Sequence, residues 1–322
     1  MKAIVSPKYG PPDVLEFREI EKPAPKDGEV LVRVHATSIN QYDWHLLTAD
    51  IFLVRLNMGF WKPKYPIPGA DIAGRVEAVG SKVTQFRRGD EVFGDISARG
   101  AGGMAEYVCV PEKWLALKPT TMTFEQAAAV PMAGLTALQG LRDVGKIQPG
   151  HQVVIQGAAG GVGTYAVQIA KAYGAQVTAV CSTRNKEQAR SLGADHVIDY
   201  TREDFTQNGK QYDIIFAANG YHSLSDYKRA LAPHGTYVMA GGQPRQMFQA
   251  LLLGSWMSER NGRNMKVLTA RPSQKDLNFI KELIETGKVR SVVDKCYPLS
   301  EAAEAMRYLG TGHARGKVIV TT

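Results

Sequence analysis

The chain has 322 residues, 44% hydrophobic and 22% charged, and its 39 Lys plus Arg against 31 Asp plus Glu leave a formal charge of +8. That length suits two domains or one large one with a full core, and three scattered cysteines, Cys109, Cys181 and Cys296, argue against a disulfide framework and a CxxC zinc knuckle. The opening MKAIVSPKYGPPDVLEF lacks an apolar signal core, no run approaches a membrane span, and the basic residues are dispersed, so the expectation is a cytoplasmic protein with no stable membrane insertion and no nucleic-acid partner.

Up to about residue 120 the chain reads as short strands divided by Pro, Gly and Asp clusters: KAIVS, VLEFREI, EVLVRVHATSI, IAGRVEAVG, DEVFG and AEYVCV. The third alternates with the period of a half-buried strand. Residues 44–68 interrupt them with a long connection rich in aromatic and aliphatic side chains, closed by Pro63, Pro66 and Pro68; in compact domains such connections are functional or mobile. TFEQAAAVPMAGLTALQGLRDVG predicts two helices divided at Pro131, the first capped by Thr123 with Gln126 three residues on. Strand HQVVIQG, turn AAGGVG, helix TYAVQIAKAYG, strand QVTAVC, helix NKEQARSLG, strands HVIDY and YDIIFAA, helix SLSDYKRALAPHG, strand TYVMAGG and a last strand KVLTA follow. Such alternation builds parallel βαβ units and predicts an α/β fold with a doubly wound sheet. In the tail, helices DLNFIKELIETGK and SEAAEAMRYLG and strand KVIVT either finish that sheet or return to the β-rich part.

The turn after HQVVIQ carries Gly157, Gly160, Gly161 and Gly163, with Ala158 in place of one glycine of the strict pattern and Val162 between the last two. Glycines between a strand and a helix let backbone N–H groups approach a pyrophosphate, so this is read as a dinucleotide cradle. At the end of the next strand, 18 residues after Gly163, stands Cys181, followed by Ser182, Thr183, Arg184, Asn185 and Lys186, with Arg190 farther along. An acid there would bind the ribose 2′-hydroxyl of NAD; its absence and the two cations predict NADPH. Tyr200, which closes HVIDY, is placed with the cofactor residues.

The motifs VRVHATSINQYDWHLL, PGADIAGRVEAVGSKVTQFRRGDEVFG, GGMAEYVCVP, AAAVPMAGLTALQGL, GAAGGVG, SLGADHVIDY and GKVIV run the length of the chain. In this order it resembles the medium-chain dehydrogenase/reductase superfamily, and within it the zinc-free quinone oxidoreductases related to zeta-crystallin. The resemblance implies a GroES-like β-rich catalytic domain from both ends of the chain, residues 1–122 and 271–322, with a Rossmann NADPH-binding domain, residues 123–270, inserted between. It also implies a homodimer. In the zinc alcohol dehydrogenases of the superfamily the ligand positions correspond to Asn40, Ala70 (followed by Asp71 where they have glutamate) and Met132, and GDISARGAGGMAEY lacks the four cysteines of their structural zinc lobe. These residue types do not form a zinc set, so no metal is expected. Thr136, Gly241 and Gly242 match positions near the cofactor, and Asn219 substitutes for an aspartate usual near Ala217 and Ala218. Arg315 and Lys317 read either as phosphate ligands or as surface charge.

Without a Lewis acid the chemistry left is hydride transfer to an acceptor already electrophilic, a quinone or an α,β-unsaturated carbonyl. Asn40 is the first candidate to hold the developing oxyanion, with Tyr42 and Tyr65 behind it and Asp43 organising Asn40. Each has a plainer reading: Asn40 caps a turn, Asp43 N-caps a helix WHLLTA, and the tyrosines line a cleft. The apolar residues of 51–65 and the stretch MFQALLLGSWM at 247–257 suggest a small apolar electrophile as substrate; the former covers a ligand, packs on a subunit or meets a hydrophobic surface. The alternatives are an NADP-dependent alcohol or aldehyde dehydrogenase-reductase, or a non-catalytic NADPH-binding protein.

Overall fold

The computed structural model describes residues 1–51, 55, 56, 58–242 and 262–322. The stretch 247–257 and residues 52–54 of the apolar loop lie outside them. In chain order the strands and α-helices are β1 (Lys2–Val5), β2 (Glu16–Glu19), β3 (Glu29–Ile39), α1 (Gln41–Thr48), β4 (Asp71–Val79), β5 (Glu91–Asp95), β6 (Tyr107–Pro111), β7 (Leu115–Leu117), α2 (Phe124–Ala128) and α3 (Pro131–Gln139). There follow β8 (Gln152–Gln156), α4 (Gly161–Ala172), β9 (Gln176–Cys181), α5 (Lys186–Ser191), β10 (His196–Asp199), β11 (Tyr212–Ala217), α6 (Leu224–Ala230), β12 (Leu231–Met239), β13 (Asn264–Val267), α7 (Gln274–Glu285), β14 (Val293–Pro298), α8 (Ala302–Gly310) and β15 (Lys317–Thr321). The described chain forms two compact units: Met1–Leu135 with Arg271–Glu285 and Ser291–Thr322, and Thr136–Ala270 with Thr286–Arg290.

The first unit is β-rich. A seven-stranded sheet runs β14-β15-β3-β4-β5-β7, with β6 also paired to β3, and β1 and β2 form a separate pair. Long β3 is its spine: its alternating Val30, Val32 and Val34 pack with Ile72, Val76, Val92, Val108 and Val110, the burial that its period of two demands. The tail returns here, β15 lying antiparallel to β3 with Val318 opposite Ile39. This pairing brings the start of the last strand to the end of β3. β14 is absent from the sequence reading. It is a half-exposed strand at the sheet edge, parallel to β15, and so lacks an apolar stripe. Thr123 caps α2 as predicted, its Oγ1 accepting from Gln126 N (3.3 Å) while Thr123 N donates to Gln126 Oε1 (3.1 Å).

The second unit holds a six-stranded parallel sheet in the order β10-β9-β8-β11-β12-β13. In sequence order within the sheet this is 3-2-1-4-5-6, whose switch point lies between β8 and β11, where doubly wound folds bind ligands at the strand C-termini. The helix expected over SLSDYKRALAPHG is shorter. It ends at Ala230, and Leu231 enters β12, because Pro233 cannot continue the helical hydrogen bonding.

Candidate active site

In the first unit β3 delivers Asn40 to the N-cap position of α1. Asp43 is not the N-cap of a helix beginning at Trp44, as one reading had it; the helix starts at Gln41 and Asp43 sits a turn in, its Oδ2 accepting from Asn40 N at 2.9 Å. Its Oδ1 accepts from Gly69 N at 2.9 Å. Burial pushes the Asp43 carboxyl up to about 6, against the pull of those two backbone donors.

Asp71, the first residue of β4, is the hub. Its Oδ2 accepts from Ser38 Oγ (2.6 Å), Asn40 Nδ2 (3.0 Å) and Lys317 Nζ (3.3 Å), and its Oδ1 from Met132 N (2.8 Å). Lys317 is only 3% exposed, so the reading of it as surface charge is corrected. Its ammonium also donates to Asn40 Oδ1. The Asn40 amide is therefore held at both ends. One amide hydrogen has the 3.0 Å contact to Asp71, and what remains for the other is two contacts of 3.4 Å, to Asp43 Oδ2 and Ser38 O, the weak end of hydrogen-bond geometry. Across the β4–β5 ladder Asp95 faces Asp71, and burial first, then the Asp71 charge, raises its carboxyl to about 7.

Neither tyrosine hydrogen-bonds to this hub, although Tyr42 lies within electrostatic reach of Asp43 and Asp95. Tyr42 donates to Ser97 O at 3.0 Å, and burial followed by the nearby Asp43 raises its phenol. Tyr65, on the exposed side, packs its ring against the backbone at Gly100. Arg315 is exposed, its N–H donating to Asp294 Oδ2 at 2.8 Å. Asp71 and Lys317 were visible in sequence as a motif position and a terminal cation, but only the β15–β3 pairing makes them neighbours. Ser38 and Asp95 carried no sequence signal of their own.

In the second unit β8 runs into Gly157, and Gly160 is the N-cap of α4. Gly157 and Ala158 spend their N–H groups on Val180 O, at 3.2 and 3.1 Å. The N–H groups at Gly161, Val162 and Gly163 open the helix, where no intrahelical acceptor exists for them, and there an anion is favoured. Gly163 permits the close approach: a Cβ on it would lie 2.1 Å from Gly157 O. Asn219 follows β11 and rests beside Gly157, its Oδ1 accepting from Gly220 N at 2.9 Å. Gly241, two residues beyond β12, donates to Ala217 O at 3.1 Å, and Gly242 follows. Thr136 is a buried residue of α3.

Ser182, Arg184 and Lys186 follow β9 in a short turn into α5, with Arg184 exposed. Arg190, farther along α5, is paired with Glu187 on the same helix, and its charge, like that of Lys186, reaches Cys181. The expectation that no carboxylate stands here is corrected. Parallel register sets Asp199, the last residue of β10, beside Cys181, and it accepts from the Thr183 hydroxyl and from Thr201 Oγ1 (2.7 Å). Those hydroxyls hold its carboxyl down at about 2. Exposed Tyr200 follows, its N–H on Cys181 O at 3.1 Å.

Among the described residues no group of three or more His, Cys, Asp or Glu is arranged to hold a metal ion, and no described helix is long and apolar enough to cross a membrane. The family model "Alcohol dehydrogenase GroES-like domain" matches residues 26–120, and "Zinc-binding dehydrogenase" matches residues 192–320. The chain is 37% identical over 319 residues to the chloroplast envelope quinone oxidoreductase homolog of Arabidopsis thaliana, covering 95% of this chain and 93% of that one. It is 36% identical over 337 residues to the chloroplastic NADPH-dependent alkenal/one oxidoreductase of the same plant, covering 99% and 79%. The solved quinone oxidoreductase of Coxiella burnetii superposes with a TM-score of 0.87 at 30% identity, covering 100% of this chain and 99% of that one.

Proposed function

Since the chain belongs to the medium-chain dehydrogenase/reductase superfamily, among the zinc-free quinone oxidoreductases, and so is an NAD(P)H-dependent oxidoreductase, we propose that it transfers hydride from NADPH to a quinone or an α,β-unsaturated carbonyl without a metal. The Lys317–Asn40–Asp71 arrangement carries this reading. At the three zinc-ligand positions of the alcohol dehydrogenases stand Asn40, Ala70 and Met132, and the amide of the first is bound to a buried ammonium. That donor set offers no thiolate and no imidazole, and the ammonium repels a divalent cation, so zinc does not fit these residues.

When bound, the reduced nicotinamide supplies the hydride. The protein's part is to position the acceptor and stabilise the charge that develops on its oxygen. In this reading the amide hydrogen of Asn40 with only the two 3.4 Å contacts turns to the acceptor oxygen, and Lys317 on the amide oxygen polarises the N–H toward donation. Asp43 and Asp71 hold the amide in place. Tyr42 and Tyr65 shape the surroundings, and Thr136 borders the nicotinamide.

For the cofactor, the first turn of α4, Asn219, Gly241 and Gly242 take the pyrophosphate and nicotinamide side, and Ser182, Arg184 and Lys186, with Tyr200, take the 2′-phosphate. Arg315 belongs to the phosphate side in this reading, and Lys317 acts through Asn40 instead. Asp199 favours a competing reading, NADH, in which its carboxylate accepts from the ribose; Thr183 and Thr201 already occupy it. Residues 1–122 with 271–322 as catalytic domain and 123–270 as cofactor domain belong to the same proposal, as does a homodimer formed through β13, which lies at the edge of its sheet.

The test is a panel of NADPH oxidation with naphthoquinone, phenanthrenequinone, alkenals, enones and saturated aldehydes, repeated with NADH. Turnover of quinones or enones is expected, with Arg184→Ala raising the NADPH KM about tenfold, one lost charge-assisted contact of roughly 1.5 kcal/mol, and leaving that for NADH unchanged. Activity confined to saturated aldehydes would overturn the acceptor class. Equal use of NADH, or an unaltered NADPH KM in the variant, would overturn the cofactor assignment.

A further inference from the structure

The connection after α1 ends in a built tip. Lys64 N donates to Met58 O at 2.7 Å, closing a turn, and the Tyr9 hydroxyl donates to Gly59 O at 2.7 Å, tying the turn to the segment after β1. Gly59 has φ +113°, and a Cβ there would lie 2.2 Å from Lys62 O, so the turn depends on glycine at this position. What it displays is apolar. Trp61 is 84% exposed, Leu56 58% and Phe60 48%, with the Phe60 and Trp61 rings edge to face at 4.9 Å.

The charge along this segment has one sign. Lys62 and Lys64 are exposed and follow Trp61 in the chain, Arg55 is half-buried with its guanidinium 5.0 Å from the Tyr9 ring centroid, and from Ile51 to Ala70 the sequence contains no Asp or Glu. Asp50, just before, is paired with His45 at 2.8 Å. Aromatic rings exposed beside unopposed cations suit a headgroup layer, where the rings sit at the polar–apolar boundary and the cations meet phosphates. A second copy of the chain is the poorer occupant, because an isologous contact through this tip would set its cations against their own copies. We propose that Leu56 and the Met58–Lys64 turn dock the protein peripherally on an anionic lipid bilayer. The docking is independent of which cofactor or acceptor the enzyme uses.

Co-sedimentation of the 322-residue chain with vesicles of phosphatidylcholine, alone or mixed with phosphatidylglycerol, tests this. Binding is expected to the mixed vesicles, weakening with salt and weak with phosphatidylcholine alone. At about fivefold per cation near an anionic surface, Lys62→Gln/Lys64→Gln should lower the partition constant by roughly twenty-five-fold, and Trp61→Ala should lower it about tenfold by removing the main apolar anchor. The exposed pair Arg87 and Arg88, changed to Gln, is the control for general charge and should retain most of the binding. Circular dichroism verifies that each variant is folded. No binding to mixed vesicles, equal binding to both kinds, or an equal loss in the control would each overturn the proposal. So would a vesicle-free mass that halves in Trp61→Ala, which would make the tip a subunit contact.

Discussion

Lys317 shows how one side chain's meaning depends on its partners. In sequence it is a cation in the run HARGK; in the fold it is a buried ammonium whose Nζ lies 3.3 Å from a fully buried Asp71 carboxylate. Removing one member of a buried pair leaves the other charge uncompensated, at a cost of about 3–5 kcal/mol, whereas removing both charges together costs much less. Lys317→Met should therefore lose stability on that scale in urea unfolding, and Asp71→Asn in the same chain should restore part of it. Simple additivity of the two substitutions would show that the pair is not coupled. Asn40 was legible as a candidate from its motif. Its orientation was not, because Ser38, Asp43, Asp71 and Lys317 reach it from three strands and a helix.

At the scale of elements, the glycine turn between β8 and α4 was legible almost entirely, since strand, glycines and helix are consecutive in the chain. What sequence could not rank is the glycines among themselves. A Cβ on Gly163 would strike Gly157 O at 2.1 Å and Ala158 Cα at 2.7 Å, both backbone atoms that cannot step aside, whereas at Gly160 the nearest atom is 3.5 Å away. Gly163→Ala should thus cost about 1–3 kcal/mol of stability by overpacking and, on the proposed reading of the turn, weaken binding of the NAD(P)H cofactor. Gly160→Ala should stay within about 0.5 kcal/mol. Thermal or urea unfolding of the two variants decides it, and equal effects would contradict the packing. Asp199 was hidden for the opposite reason: it reaches the end of β9 only through the β9–β10 register.

At the scale of the whole molecule, buried acids give stability a particular pH dependence. Asp43 and Asp95 titrate at about 6 and about 7 in the folded chain, well above an unfolded carboxyl near pH 4. Between those limits the folded state holds more protons than the unfolded one, so their contribution favours folding below about pH 4 and declines as pH rises through 4 to 7. Asp199, held at about 2, has the reverse sign: its contribution is present above about pH 4 and lost as pH falls toward 2. Urea midpoints measured from pH 5 to 7 should fall less steeply in Asp95→Asn than in the unaltered chain, with the Asp95 contribution on the order of 2 kcal/mol. An unchanged slope would show that Asp95 does not titrate there. The amide keeps an acceptor for Ser97 N, which now donates to Asp95 Oδ1 at 2.8 Å.

The sequence by itself determined the family, the two kinds of layer and the glycine-rich strand–turn–helix from β8 to α4, because each is written in local periodicity or in residues adjacent along the chain. Tertiary structure alone decided that the returning last strand pairs with β3 and in what register, that Lys317 is thereby buried against Asn40 and Asp71, and that Asp199 adjoins Cys181. All three are contacts across strand pairs, and strand pairing joins residues far apart in the chain whose register no single segment encodes.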